Sequence, residues 1–142
     1  PNKVKYIIDK VDLIHSVDSY SLIKEIEKQA NKHNLVMKVL IQVNISKEES
    51  KHGFKVEEIE EVFDTLKNYP HIEVKGLMMM APNIEAEKTR EYFKLTQDLF
   101  NQLKIKYPEY SLTELSMGMS NDYKIALEYG ATMVRIGSSL FK

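Results

Sequence analysis

Two small-residue turns near the end of the chain carry the donors an anion needs. Leu115 to Ser139 reads LSMGMSNDYKIALEYGATMVRIGSS, with Gly118 and Gly137 each directly after an apolar run. In GMSND, Ser120 is a natural N-cap for the helix-like segment that follows, with a hydroxyl and free backbone N–H groups around it. Unpaired N–H groups at such a point attract phosphate or carboxylate. In RIGSS, Gly137 lets the backbone come close to a ligand, and Ser138 and Ser139 add N–H and O–H donors. Together the two turns can hold one phosphate by backbone dipoles and hydroxyls, without a lysine. Taken singly, each also reads as a plain strand-to-helix connection, where Gly and Ser are common. Arg135 stands two residues before Gly137, inside an apolar strand. A charge there is ion-paired, faces outward at a sheet edge, or is fixed on a ligand.

The elements that position these turns alternate. KVDLIHSVD (Lys10 to Asp18) reads as a strand, and Ser19 or Asp18 can cap a helix with Leu22, Ile23, Ile26 and Ala30 on one face. Val36 to Ile45 is β-branched and almost continuously apolar, as expected of a strand covered on both faces. A loop, SKEESKHGF, leads to a helix with Val56, Ile59, Val62, Phe63 and Leu66 inward, stopped by Pro70. His71 to Ala81 is a third strand. After Pro82 a long helix carries Phe93, Thr96, Leu99, Phe100 and Leu103 on one face. LTELSM is a fourth strand, NDYKIALEY a short helix closed by Gly130, and TMVRIG a fifth strand. A half helix over Asn2 to Ile8 can precede them.

Strands alternating with helices imply a parallel sheet with right-handed crossovers. Two architectures compete. An open doubly wound sheet needs only five strands, but its glycine-rich turn normally follows the first strand. Here the first strand ends in HSVDS, without glycine. Glycine turns after the last two strands instead match the phosphate loops after strands 7 and 8 of a (β/α)8 barrel. The expected fold is therefore α/β, a partial TIM barrel made of strands 4–8. Its earlier units would lie ahead of Pro1, with 1–142 forming the C-terminal two thirds of one barrel domain.

Bulk properties narrow the function classes. The 142 residues carry 20 basic and 21 acidic side chains, a net charge of -1, with no footprint for nucleic acid or an anionic membrane. No cysteine is present, so disulfides and thiolate metal sites are excluded, and a reducing, cytoplasmic compartment is expected. No apolar run is long enough to span a bilayer. The four histidines are too scattered for a zinc site, and no metal or catalytic carboxylate pair is expected.

The stretches LIHSVDS, VLIQVNIS, SKHGF, GLMMMAP and above all LSMGMSNDYKIALEYGATMVRIGSSLF closely resemble the YggS/PROSC family of pyridoxal 5′-phosphate (PLP) binding proteins. Members of that family look like the N-terminal barrel of alanine racemase (fold type III) without its second domain. The resemblance implies PLP as cofactor, a part in vitamin B6 homeostasis, and no established catalytic turnover. It places the phosphate contacts on Met119–Ser120 and on Gly137–Ser138, and an arginine facing the ring nitrogen on Arg135. It also implies that the Schiff-base lysine ends the first barrel strand, ahead of Pro1, so that this chain holds no catalytic residue. The whole protein is expected to be a monomer, whereas the isolated piece, with unpaired sheet edges, is expected to associate. Two other readings stay open: a fold type III racemase or decarboxylase barrel, and a barrel that cradles a different phosphate ester.

Other residues carry weaker signals. Lys38 and Lys75 lie at strand starts, the wrong end for a barrel site. Lys47 and Lys51 lie after a strand but lack a desolvated setting that would lower an amine pKa. His52 is a loop histidine that can contact an anion or simply bond the backbone. His15 and Asn44 fall near strand ends. The LMMMAP run reads first as core, although Met79 or Met80 can line the flat face of an aromatic cofactor.

Overall fold

The computed structural model describes residues 13–46 and 52–135, the last by its backbone. Among the described residues, six strands and four α-helices follow in the order β1 (Leu13–Val17), α1 (Tyr20–Lys32), β2 (Met37–Asn44), β3 (Phe54–Lys55), α2 (Ile59–Leu66), β4 (Ile72–Met79), α3 (Arg90–Lys106), β5 (Glu114–Met119), α4 (Tyr123–Glu128) and β6 (Met133–Arg135). The sheet runs β1-β2-β4-β5-β6, and every pairing is parallel. Neighbours in sequence are neighbours in space, and the order never reverses. A doubly wound sheet is excluded, since its two halves run outward from a switch point. The two-residue β3 was not expected. It pairs Val43 with Phe54 beside β2, inside what reads as loop.

The helices cover one face of the sheet. Ile23, Ile26 and Ala30 of α1, Ile59, Val62, Phe63 and Leu66 of α2, and Phe93, Phe100 and Leu103 of α3 join one core with Val39, Ile41, Val43, Val74, Leu77, Leu115 and Met117. Alternation along the strands sends Leu40, Gln42, Met78 and Ser116 to the opposite face, where all four are buried. Gln42, Met78, Ser116 and Met133 stand in register across four adjacent strands, forming one row on that face. A parallel sheet with one helix-covered face and a second, buried face is the cross-section of a (β/α)8 barrel.

Local chemistry explains the element ends. Ser19, in extended conformation, accepts the Leu22 N–H at 3.2 Å and starts α1. Gly130 takes a φ of 88° after α4, the left-handed conformation that a helix C-terminus favours in glycine. Away from the glycine turns, Tyr107 and Tyr110 join α2 to the chain leaving α3. The buried Tyr107 hydroxyl donates to Asp64 Oδ1 at 2.7 Å, and the Tyr110 hydroxyl donates to the Phe63 carbonyl. Burial raises the pKa of both tyrosines, Tyr110 to about 12. Since both tyrosines precede β5 and Asp64 precedes β4, this clamp stands at the N-terminal edge of the sheet, opposite the turns.

Candidate functional site

Parallel strands bring their C-terminal ends to one edge. Asp18, Asn44, Met80, Ser120 and the backbone of Arg135 all follow or close a strand there. Of the expected phosphate contacts, Met119 and Ser120 are described. Gly137, Ser138 and Ser139, together with the Arg135 side chain, Lys47, Lys51 and the Asn2 to Ile8 segment, lie outside the described residues.

β5 runs further than the sequence implies, through Gly118 to Met119. Gly118 is therefore a strand residue, and its φ of 107° belongs to a region that side chains rarely adopt. A Cβ there would stand 2.7 Å from the Cβ of Ala126 and 3.3 Å from the Tyr123 Cα. Glycine at this position lets α4 lie directly against β5. Its irregularity also breaks the register between Ser116↔Met133 and Met119↔Arg135.

The turn that follows is closed from both sides. The Asp122 N–H donates to the Met119 carbonyl at 3.1 Å, and the Met119 N–H donates to Asp122 Oδ1 at 2.6 Å. The expectation that Ser120 caps the helix is corrected. Asp122 occupies the N-cap position, Ser120 is exposed two residues earlier, and no side-chain cap bond forms. The carboxylate reaches back to Met119 instead, a bond that the short Asp side chain makes readily in turns. Two N–H groups of the turn, those of Ser120 and Asn121, have no partner among the described residues. Ser120 and Asn121 line a surface cleft of about 410 Å³ together with Ala86, Asp122, Tyr123 and Lys124.

Other candidates fall on either side of the sheet. Met79 is 3% exposed and belongs to the helix-facing core, so it does not line an open face; Met80 is partly exposed, and Met78 faces away from the helices. His52 is mostly exposed, with its Nδ1 3.9 Å from Asp18 Oδ2. Its backbone carbonyl accepts from Gln42 Nε2 at 3.2 Å, which ties the loop to the buried face of β2. Asn44 Oδ1 accepts from the Ser46 hydroxyl at 3.1 Å. Lys38 is exposed near the start of β2, and Lys75 donates to the Ser111 carbonyl at 3.2 Å, both away from the strand ends. Gln42 and Asp122 were missed from sequence. An aspartate three residues after Met119 was the available signal for the closed turn, and Ser120 drew the cap assignment instead.

A parallel, part-barrel sheet with helices on one face and a glycine-assisted turn at the C-terminal end of a late strand defines a class, the (β/α)8-type α/β barrels. The chain belongs to the alanine racemase N-terminal domain family, whose model matches residues 1–142. It is 46% identical to the "Pyridoxal phosphate homeostasis protein" of Aquifex aeolicus (strain VF5) over 141 residues, covering 99% of this chain and 61% of that protein. The fold superposes on PipY of Synechococcus elongatus PCC7942 with PLP bound, at TM-score 0.85 and 31% identity, covering 99% of this chain and 66% of that one. Alanine racemase of Clostridium difficile 630, at 15% identity and TM-score 0.72, shares the fold. The chain thus spans about three fifths of the length of the curated relatives it matches. Among the described residues, no helix is long and apolar enough to cross a membrane.

Proposed function

We propose that this chain is the greater part of a PLP-binding barrel that serves vitamin B6 homeostasis as a carrier, without catalytic turnover of its own. The observation that carries the reading is the closed turn after β5. It leaves two backbone N–H groups and one hydroxyl for an anion, on a fold that superposes on PipY with PLP bound. The donor set fits a phosphate ester, since a dianion is held well by backbone N–H groups and hydroxyls that lose little water.

The roles follow residue by residue. Ser120 and Asn121 offer N–H groups to the phosphate, with the Ser120 hydroxyl beside them. Met119 shapes the turn, because its own N–H is committed to Asp122. Gly137 and Ser138 complete the cradle from the end of β6. Arg135 is the partner for the ring nitrogen. A guanidinium keeps its protons, so it donates to that nitrogen and leaves it unprotonated. When bound, PLP supplies an aldehyde that captures amines reversibly and a ring that draws electrons, and the arginine weakens that draw. The amine that anchors the cofactor is assigned to a lysine ahead of Pro1 in the whole protein. A cytoplasmic setting and a monomeric whole protein belong to the same proposal.

The test is an absorbance spectrum of the whole protein purified with and without added PLP. A band near the visible edge that follows PLP addition supports the reading. Its absence, with tight binding of another phosphate ester, would mean the cradle serves a different ligand. Turnover of an amino acid by the PLP-loaded protein would overturn the carrier assignment in favour of a racemase or decarboxylase.

A further inference from the structure

We propose that Asp122 is the positioning residue of the anion turn: by accepting the Met119 N–H, its carboxylate fixes Ser120 and Asn121 so that their two N–H groups serve one phosphate. The proposal rests on the PLP reading of the same site and adds the residue that sets its geometry.

Asp122 is only 6% exposed, although aspartate is rarely buried without a task. It pairs with no cation among the described residues. Its recorded side-chain bond is the 2.6 Å contact from the Met119 N–H. A bond from an N–H to an ionised carboxylate is of the stronger, charge-assisted kind. With the return bond from the Asp122 N–H to the Met119 carbonyl, the same two residues are linked twice across the turn. The enclosed residues lose most of their freedom. Their N–H groups are thereby held ready before a ligand arrives, which lowers the entropy lost on binding.

The carboxylate also has a cost. A negative charge beside a phosphate dianion opposes binding, so a neutral acceptor would serve the anion better than the native residue. Asparagine keeps Oδ1 for the Met119 N–H and removes the charge. Alanine removes both. The two substitutions therefore separate the acceptor from the charge, and they should act in opposite directions on phosphate affinity.

The experiment titrates the whole protein and its D122A and D122N variants with PLP, with pyridoxal (which lacks the phosphate), and with inorganic phosphate as competitor. For D122A the expected result is a loss of PLP affinity of about tenfold or more, corresponding to about 1.4 kcal/mol, with pyridoxal affinity unchanged. For D122N, PLP affinity should equal or exceed that of the native protein, and phosphate should compete at least as well. Native PLP affinity in D122A would overturn the proposal. So would a D122N variant as weak as D122A, or equal loss of PLP and pyridoxal in D122A, since Asp122 would then support the barrel rather than the anion turn. A native protein that binds PLP no better than pyridoxal would instead defeat the phosphate cradle itself, whatever the variants do.

Discussion

Gly118→Ala is the sharpest test of how β5 and α4 build the turn. The new methyl meets two obstacles. At a φ of 107° a residue with a Cβ is strained, at about 1–3 kcal/mol. Its Cβ would also stand 2.7 Å from that of Ala126, against an ordinary carbon contact of about 3.5–4.0 Å. Ala126 is fully buried, so α4 has to move as a unit, and overpacking of this kind costs about 1–3 kcal/mol. A stiffer unfolded chain returns about 0.4–1 kcal/mol. The net loss is about 1–5 kcal/mol, a large part of a typical domain's stability. Urea denaturation of the whole protein measures it, as a lower midpoint at unchanged slope. Ala126→Gly opens the space opposite, at a cost of about 1 kcal/mol for glycine in a helix. The double variant should then recover the steric part, with a coupling of about 1–2 kcal/mol. A double variant whose loss equals the sum of the single losses within about 0.5 kcal/mol would refute the contact. A Gly118→Ala variant that loses under about 1 kcal/mol would refute the strain as well.

Tyr107→Phe should cost about 0.5–1.5 kcal/mol by denaturant midpoint, because it removes the buried hydroxyl's bond to Asp64, whose exposed carboxylate then turns to water. Tyr110 sets an alkaline limb. Its pKa is raised by burial to about 12 in the folded state, against 10.0 ordinarily. Its contribution is therefore complete below pH 10 and fades as pH climbs towards 12, and Tyr110→Phe should flatten that part of the stability–pH curve. Arg135→Leu in the whole protein should change the absorbance of bound PLP more than its phosphate affinity; an unchanged spectrum would leave Arg135 a structural residue.

Sequence periodicity reveals most of the fold because long amphipathic and apolar runs leave few alternatives. Ile23, Ile26 and Ala30 recur at helical spacing and face the core as expected. The glycine turns after the last strands select a barrel over a doubly wound sheet, and the unreversed strand order agrees. Short-range features are less legible. Phe54–Lys55 forms a strand only because Val43–Asn44 lies alongside, a tertiary effect that two residues cannot announce. In the turn after β5, Ser120 reads as the cap from sequence, whereas Asp122 occupies the N-cap position. Tertiary packing decides between them, since closing the strand's last N–H at Met119 needs a side chain that reaches back three residues. Met79 and Met80 differ by one position, and alternation alone sends the first into the core.

Covalent trapping of the cofactor tests the central claim most directly. The whole protein is incubated with PLP, reduced with borohydride, digested, and its modified peptide identified by mass. The account predicts one reduced adduct per chain, on a lysine outside residues 1–142, with inorganic phosphate in excess suppressing its formation. No adduct under saturating PLP, or a stoichiometric adduct on a lysine within this chain such as Lys51, would contradict it.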